Sequence, residues 1–357
     1  MQATVPAGIK YDAVSRFFAE HVPGGDTELT FSLISGGRSN LTYKVESANG
    51  TWVLRRPPLG HVLPTAHDMA REFKVLSAVA KVGFPAPKPI ALCEDSSVND
   101  YPFYVMDYRE GVIIAEELPA GYAETPERRR AISEALVRTL VELHAIDYNA
   151  VGLGDFGRPE GYLERQVRRW GEQWARSETR PLPEVAELIK RLNAAIPKSP
   201  APTIVHGDYR LGNMMLDFED PGRVVAVLDW EMCTLGDPLS DVGYTLGYWG
   251  EAGDSQSQIN ARPTSSVTAK PGFFTRQELI EEYGRLSGRD MSAIEFYQVL
   301  AYYKLGVITE GIHARFLAGE TVGAGFEGYG ERTENLMRFA LEIADKAADP
   351  RLRGIGI

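Results

Sequence analysis

The rhythm of apolar and polar positions changes once along the chain, near residue 110. Before that point a period of two dominates. In ELTFSLISGGRSNLTYKVESANGTWVLRRPP, beginning at Glu28, the alternation predicts three short strands, with a Gly-rich first turn and a hairpin signal at Asn49-Gly50 in the second. A helix is expected ahead of them, near residues 10 to 22. From Thr65 to Val82 the apolar positions Met69, Phe73, Leu76 and Val79 recur at helical spacing, and Gly83 with Pro85 ends that run. PKPIALCED and YPFYVMDY predict two more strands, completing a sheet of about five, and Glu110-Gly111 breaks the pattern.

Downstream the apolar spacing becomes helical, over roughly 126–146, 160–177, 183–195, 275–287, 292–317 and 331–346. Short β segments interrupt this half at TIVH, NMMLD and RVVAVLDW. We therefore divide the chain into a sheet-rich part, 1–108, and a helical part, 109–357. The polar segment GEAGDSQSQINARPTSSVTAKPG, 250–272, is long for a connection within a compact domain; it reads as a lid or a disordered loop, and disorder is the favoured reading. No internal repeat is visible.

Composition narrows the partners. The chain of 357 residues is 44% hydrophobic and 24% charged, a globular balance, and its net charge of -11 argues against nucleic acid or an anionic membrane as a partner. Neither a signal peptide nor about 18 consecutive apolar residues is present, so a cytoplasmic location is expected. Cys93 and Cys233 are far apart without a CxxC spacing and are expected as buried free thiols. The histidines form no HExxH set and no GxSxG elbow occurs, which lowers the case for a zinc protease or a serine hydrolase.

The densest polar cluster is HGDYRLGNMML, 206–216. Asp208 and Asn213 share a tight loop between strands, and Asp229 follows at the end of the apolar run VVAVL. A hard cation such as Mg²⁺ takes oxygen ligands, usually one or two from protein, and Asn213 with Asp229 fits that need. An aspartate beside such a site accepts a hydroxyl proton and orients the oxygen for attack on a γ-phosphate, a role that fits Asp208. Taken singly, each is more readily a turn or strand-end residue; jointly, H-x-D-x-x-x-x-N followed by a hairpin aspartate is a kinase pattern. Glu231 would share the side of Asp229, as an auxiliary metal ligand or a partner of one. His206 is expected to anchor the loop. Asp237 and Asp241 read as turn and helix-cap residues, with Asp241 a candidate to bond the catalytic-loop backbone.

On IVHGDYRLGNMMLD (204–217) and VAVLDWEMCTLGDPLSDVGY (225–244), the sequence resembles the aminoglycoside phosphotransferase and choline-kinase-like family of small-molecule kinases, nearest the kinase-like domains fused to some acyl-CoA dehydrogenases. The resemblance covers about residues 28 to 345. It implies an α+β, bilobal protein-kinase-like fold: a small antiparallel-sheet N-lobe plus one helix, and a large, mostly helical C-lobe, with ATP and Mg²⁺ bound between them. Gly36 and Gly37 would let backbone N–H groups approach phosphate, or form an ordinary hairpin turn. Period two puts Val53 and Arg55 on one face, Val53 toward adenine and Arg55 toward phosphate, where the family usually has lysine; a one-residue slip would substitute Arg56. Glu72 shares the inward face of its helix with Leu76 and Val79 and would be satisfied by Arg55. In FYVMDYREG the resemblance implies that the Asp107 carbonyl and Arg109 N–H bond the adenine edge. Arg210 is placed to stabilise transition-state charge, or is a surface residue. Trp170 and Trp174 line an acceptor pocket or belong to the core, the core being favoured.

The leading expectation is an ATP- and Mg²⁺-dependent kinase acting on a hydroxyl of a small molecule, of hydroxylated acyl type. The alternatives are an aminoglycoside-type kinase and a nucleotide-binding pseudokinase that serves as an interaction module. A protein kinase fits poorly: the stretch between Asp229 and Asp241 leaves little room for an activation loop, and no APE motif follows.

Overall fold

The computed structural model describes residues 5–35, 40–59, 68–262, 267–321 and 325–357. The chain divides into two compact units, one of Met1–Gly111 with Val225–Cys233, the other of Val112–Val224 with Thr234–Ile357.

In the first unit α1 (Tyr11–His21) precedes β1 (Thr30–Ser35), β2 (Leu41–Ser47) and β3 (Gly50–Arg56), followed by α2 (Met69–Ala80), β4 (Pro89–Cys93), the short α3 (Ser96–Asn99) and β5 (Phe103–Asp107). The strands form one antiparallel sheet in the order β1-β2-β3-β5-β4. The β2–β3 hairpin forms as its sequence suggests, with Ser47 opposite Gly50. Alternation then sorts β3: Trp52 and Leu54 enter a core with Val14, Phe17 and Phe18 of α1, while Val53 and Arg55 take the other face. Edge-on contacts of Phe17 with Phe103 and of Phe18 with Trp52 fix α1 against the sheet. α2 starts at Asp68, whose side chain accepts from Arg71 N at 2.9 Å, and it buries Glu72 together with Val75, Leu76 and Val79.

The second unit opens with β6 (Val112–Ile113), then α4 (Pro126–Ala145), α5 (Tyr162–Ser177), α6 (Pro183–Ala194), β7 (Thr203–Val205) and β8 (Met214–Leu216). All but the first residue of β9 (Val224–Val227) lies in Val225–Cys233, which belongs to the first unit: there Val227 N donates to Pro85 O at 2.8 Å and Arg71 Nη2 donates to Cys233 O at 3.1 Å. The chain resumes in the second unit with β10 (Thr234–Gly236), α7 (Leu239–Tyr248), α8 (Gln256–Asn260), α9 (Arg276–Ser287), α10 (Ile294–Leu317) and α11 (Tyr329–Lys346). β7 pairs with β10 and β6 with β8, both antiparallel. α10 is apolar around most of its circumference because α5, α7 and α11 all pack on it. No helix among the described residues is long and apolar enough to cross a membrane.

Residues 250–262 and 267–272 depart from the disorder favoured above. They include α8, and Asp254 anchors the segment by accepting from Arg276 Nη1 at 2.7 Å and from Arg262. Thr268 Oγ1 bonds both the N–H and the carbonyl of Gly250, at 2.8 and 3.0 Å. A polar stretch holds a structure here because its charges are paired and buried rather than solvated.

Candidate functional site

In the first unit, Arg55 reaches from β3 to two carboxylates. Its Nε donates to Glu72 Oε2 at 2.9 Å and its Nη2 to Asp229 Oδ1 at 2.7 Å. Glu72 also accepts from Tyr104 Oη at 2.9 Å and from Asn40 Nδ2 at 2.8 Å, and Asn40 Nδ2 donates to Glu231 Oε2 at 3.2 Å. Burial alone would lower the Arg55 guanidinium, but Glu72, with Tyr104, Asp229 and Glu231, outweighs it and holds the pKa well above its ordinary value. Arg55 is therefore a fixed cation. Arg56 takes the opposite face of the pleat: it is buried, donates to the carbonyls of Gly8 and Pro57, and lies 5.5 Å from the Tyr101 ring centroid. Asp229 sits in the left-handed region at φ 67°, which aims its side chain back toward Arg55 while Trp230 Nε1 bonds Val227 O at 2.9 Å.

Val53 is buried on the Arg55 face of β3. Asp107 ends β5, where its N–H donates to Lys88 O at 2.9 Å and its carboxylate accepts from Lys88 N at 2.6 Å and pairs with Arg109 Nη2 at 2.8 Å. Gly36 and Gly37 lie outside the described residues.

In the second unit, the loop after β7 carries Asp208. Gly207, at φ 83°, makes a turn that a side chain would strain. Asn213 Nδ2 donates to both the carbonyl and Oδ2 of Asp208, at 2.8 and 2.7 Å, and Arg210 Nε lies 3.4 Å from Asp208 Oδ1. The Arg210 guanidinium is also 5.0 Å from the Tyr248 ring centroid, which disposes of a purely solvated side chain.

The loop is held from behind by Asp241 of α7. Its carboxylate accepts from His206 N at 2.7 Å, Gly207 N at 2.8 Å and His144 Nε2 at 3.1 Å, while His144 Nδ1 meets Tyr283 Oη at 2.8 Å. Burial would raise Asp241, but His144, His206 and the Gly207 N–H outweigh it and hold the carboxyl below its ordinary range. Burial also lowers His144, whose neutral ring donates to Asp241 through Nε2. His206 is fully buried in this framework. Asp237 is tied to Leu239 N at 3.0 Å and to Tyr297 Oη at 2.7 Å, a turn residue with a core partner.

Four contributors were not singled out from sequence: Asn40 and Tyr104, which bond Glu72, and Lys304 and Tyr244, the Lys304 ammonium donating to Gly207 O and lying against the Tyr244 ring. Lys304 had a visible signal, being the sole cation from Ile294 to Thr309 in a run that is otherwise largely apolar. Asn40 and Tyr104 had none, since a loop asparagine and a strand tyrosine are ordinary. Trp170 and Trp174 are both buried; Trp170 also borders a small cavity beside the loop after β7, so the core reading holds for Trp174 and only in part for Trp170. Cys93 and Cys233 are buried free thiols.

With its NH₂ end turned to Asp208, Asn213 has its amide oxygen left to offer a cation, and the Asp229 carboxylate is part-exposed.

A strand arginine held by a helix glutamate and an aspartate–asparagine loop held from behind are the working parts of a kinase-like phosphotransferase. Residues 30–297 match the model of the phosphotransferase enzyme family, and the chain belongs to that family as a small-molecule kinase. It is 36% identical over 316 residues to mouse (Mus musculus) acyl-CoA dehydrogenase family member 10, an alignment covering 87% of this chain and 29% of the relative. The chain thus spans less than a third of that protein's length. A Ralstonia eutropha protein provisionally named an aminoglycoside phosphotransferase is 33% identical, with a TM-score of 0.80 over 95% of this chain and 99% of the other. A thermostable mutant of aminoglycoside phosphotransferase APH(4)-Ia, solved with AMP-PNP and hygromycin B, shares the fold at 15% identity, with a TM-score of 0.59 and coverage of 97% and 100%.

Proposed function

We propose that the chain transfers the γ-phosphoryl group of ATP, with Mg²⁺, to a hydroxyl of a hydroxylated acyl-type metabolite. The observation that carries the reading is the Asp208 carboxylate, held by the Asn213 amide on a loop whose backbone Asp241 fixes. An aspartate so constrained takes the hydroxyl proton and orients the oxygen toward phosphorus. Arg55 acts on the nucleotide phosphates as a planar, permanently charged donor, and Glu72 keeps it extended. Mg²⁺, for which the sequence pattern singles out Asn213 and Asp229, would neutralise charge on the phosphates. The AMP-PNP complex of the APH(4)-Ia mutant supports ATP as the donor.

The acyl-type acceptor is supported by the relationship to acyl-CoA dehydrogenase family member 10 and by the charges beside Asp208. Arg210 and Lys304 both flank that loop, and cations there repel a polycationic acceptor such as an aminoglycoside. The test is phosphate transfer from Mg²⁺–ATP to a panel of hydroxyacyl thioesters, hydroxy acids and aminoglycosides, comparing wild type with Asp208→Asn. Transfer to a hydroxyacyl compound that drops roughly 10² to 10⁴-fold in the variant is the expected result. A wild type no faster than the variant on every acceptor would refute the reading, and turnover confined to aminoglycosides would refute the acceptor class.

A further inference from the structure

Lys304 projects from the middle of α10, a helix packed on three sides by others, and its Nζ donates to the carbonyl of Gly207 at 2.7 Å. The ammonium lies 4.1 Å from the ring centroid of Tyr244 and 5.7 Å from that of Trp170, two aromatic faces that favour a cation between them. A cavity of about 30 Å³ adjoins it, lined also by Gln166 and Asp241, with room for a water molecule. Gly207 immediately precedes Asp208, and its two peptide groups are gripped from opposite elements: the N–H by Asp241 of α7, the carbonyl by Lys304 of α10. The grip costs stability, because burial lowers the Lys304 ammonium to about 8, with Asp208 and Asp241 opposing that fall. A lysine that only filled space here would be better replaced by an apolar side chain.

We propose that Lys304 is a positioning residue for Asp208, holding the peptide just before it. It acts through the loop. The inference rests on the phosphotransferase reading of Asp208 given above.

The test compares Lys304→Met and Lys304→Arg in the full chain, using Mg²⁺–ATP with water as the acceptor so that the natural acceptor need not be known. In Lys304→Met, kcat is expected to fall roughly ten- to a hundredfold, as for a lost hydrogen bond from a charged group, while KM for ATP stays within about twofold. The melting temperature should equal or exceed that of wild type, and Lys304→Arg should recover most of kcat. A merely structural lysine would instead lower the melting temperature along with activity. Unchanged kcat in Lys304→Met, a melting temperature that falls with it, or no recovery with arginine would each overturn the inference. Absence of Asp208-dependent ATP turnover in wild type would sink the phosphotransferase reading itself, so the two failures are told apart.

Discussion

Replacing Asp241 by asparagine changes one atom, yet it tests how the catalytic loop is held. The wild-type carboxylate accepts three hydrogen bonds, from His206 N, Gly207 N and His144 Nε2, in a fully buried setting. An amide keeps one acceptor oxygen and turns an NH₂ toward a donor, leaving a buried N–H without a partner at about 1–3 kcal/mol. It also removes the charge that strengthens the remaining bonds, for a total of about 3 kcal/mol. At roughly 1–2 °C per kcal/mol for a chain of 357 residues, the melting temperature should fall by roughly 3–6 °C near neutral pH. The pH dependence sharpens the test. His144 is lowered from 6.5 in the folded protein, so its contribution to stability is complete above that value and is lost as pH falls below it. Asp241 opposes that lowering; without its carboxylate, folded His144 resists protonation further, and acid costs the variant more than the wild type. The stability gap should therefore widen from about pH 7.5 to about pH 5 and narrow at lower pH, where the unfolded chain binds the Asp241 proton before the folded carboxylate does. Melting curves across that range decide it: a gap that is constant, or that closes toward pH 5, refutes the account of a charged Asp241 bonded to a neutral His144.

Glu72→Ala should cost about 3 kcal/mol in urea unfolding, because Tyr104 and Asn40 lose a buried acceptor, although Arg55 keeps Asp229; a loss below about 1 kcal/mol would show the network to be slack. Asp254→Ala should expose 250–272 to limited proteolysis at least about tenfold faster, since Arg262 and Arg276 lose their common anchor; an unchanged cleavage pattern would show that the segment is held by other contacts.

The sheet and the long helices were legible in the sequence because their periods differ: Val53 and Arg55 share a face at period two, and Glu72, Leu76 and Val79 share one at helical spacing. The resemblance carried by HGDYRLGNMML likewise led to the kinase-like fold. The two-residue repeat also placed Arg55 with Glu72, but the choice over Arg56 depended on strand register, which the β2 and β5 pairings fix. Other features required contacts between distant parts of the chain. The segment Val225–Cys233 joins the first unit after more than a hundred intervening residues, and His144 of α4 meets Asp241 of α7. The anchoring of Asp254 depends on Arg276 in a later helix, and Lys304 became part of the loop's support only when α10 packed against α7. A sequence pattern reports which face a side chain takes within its own element; what that face meets is decided when the elements pack, because burial sets the worth of a charge and distance sets its partner.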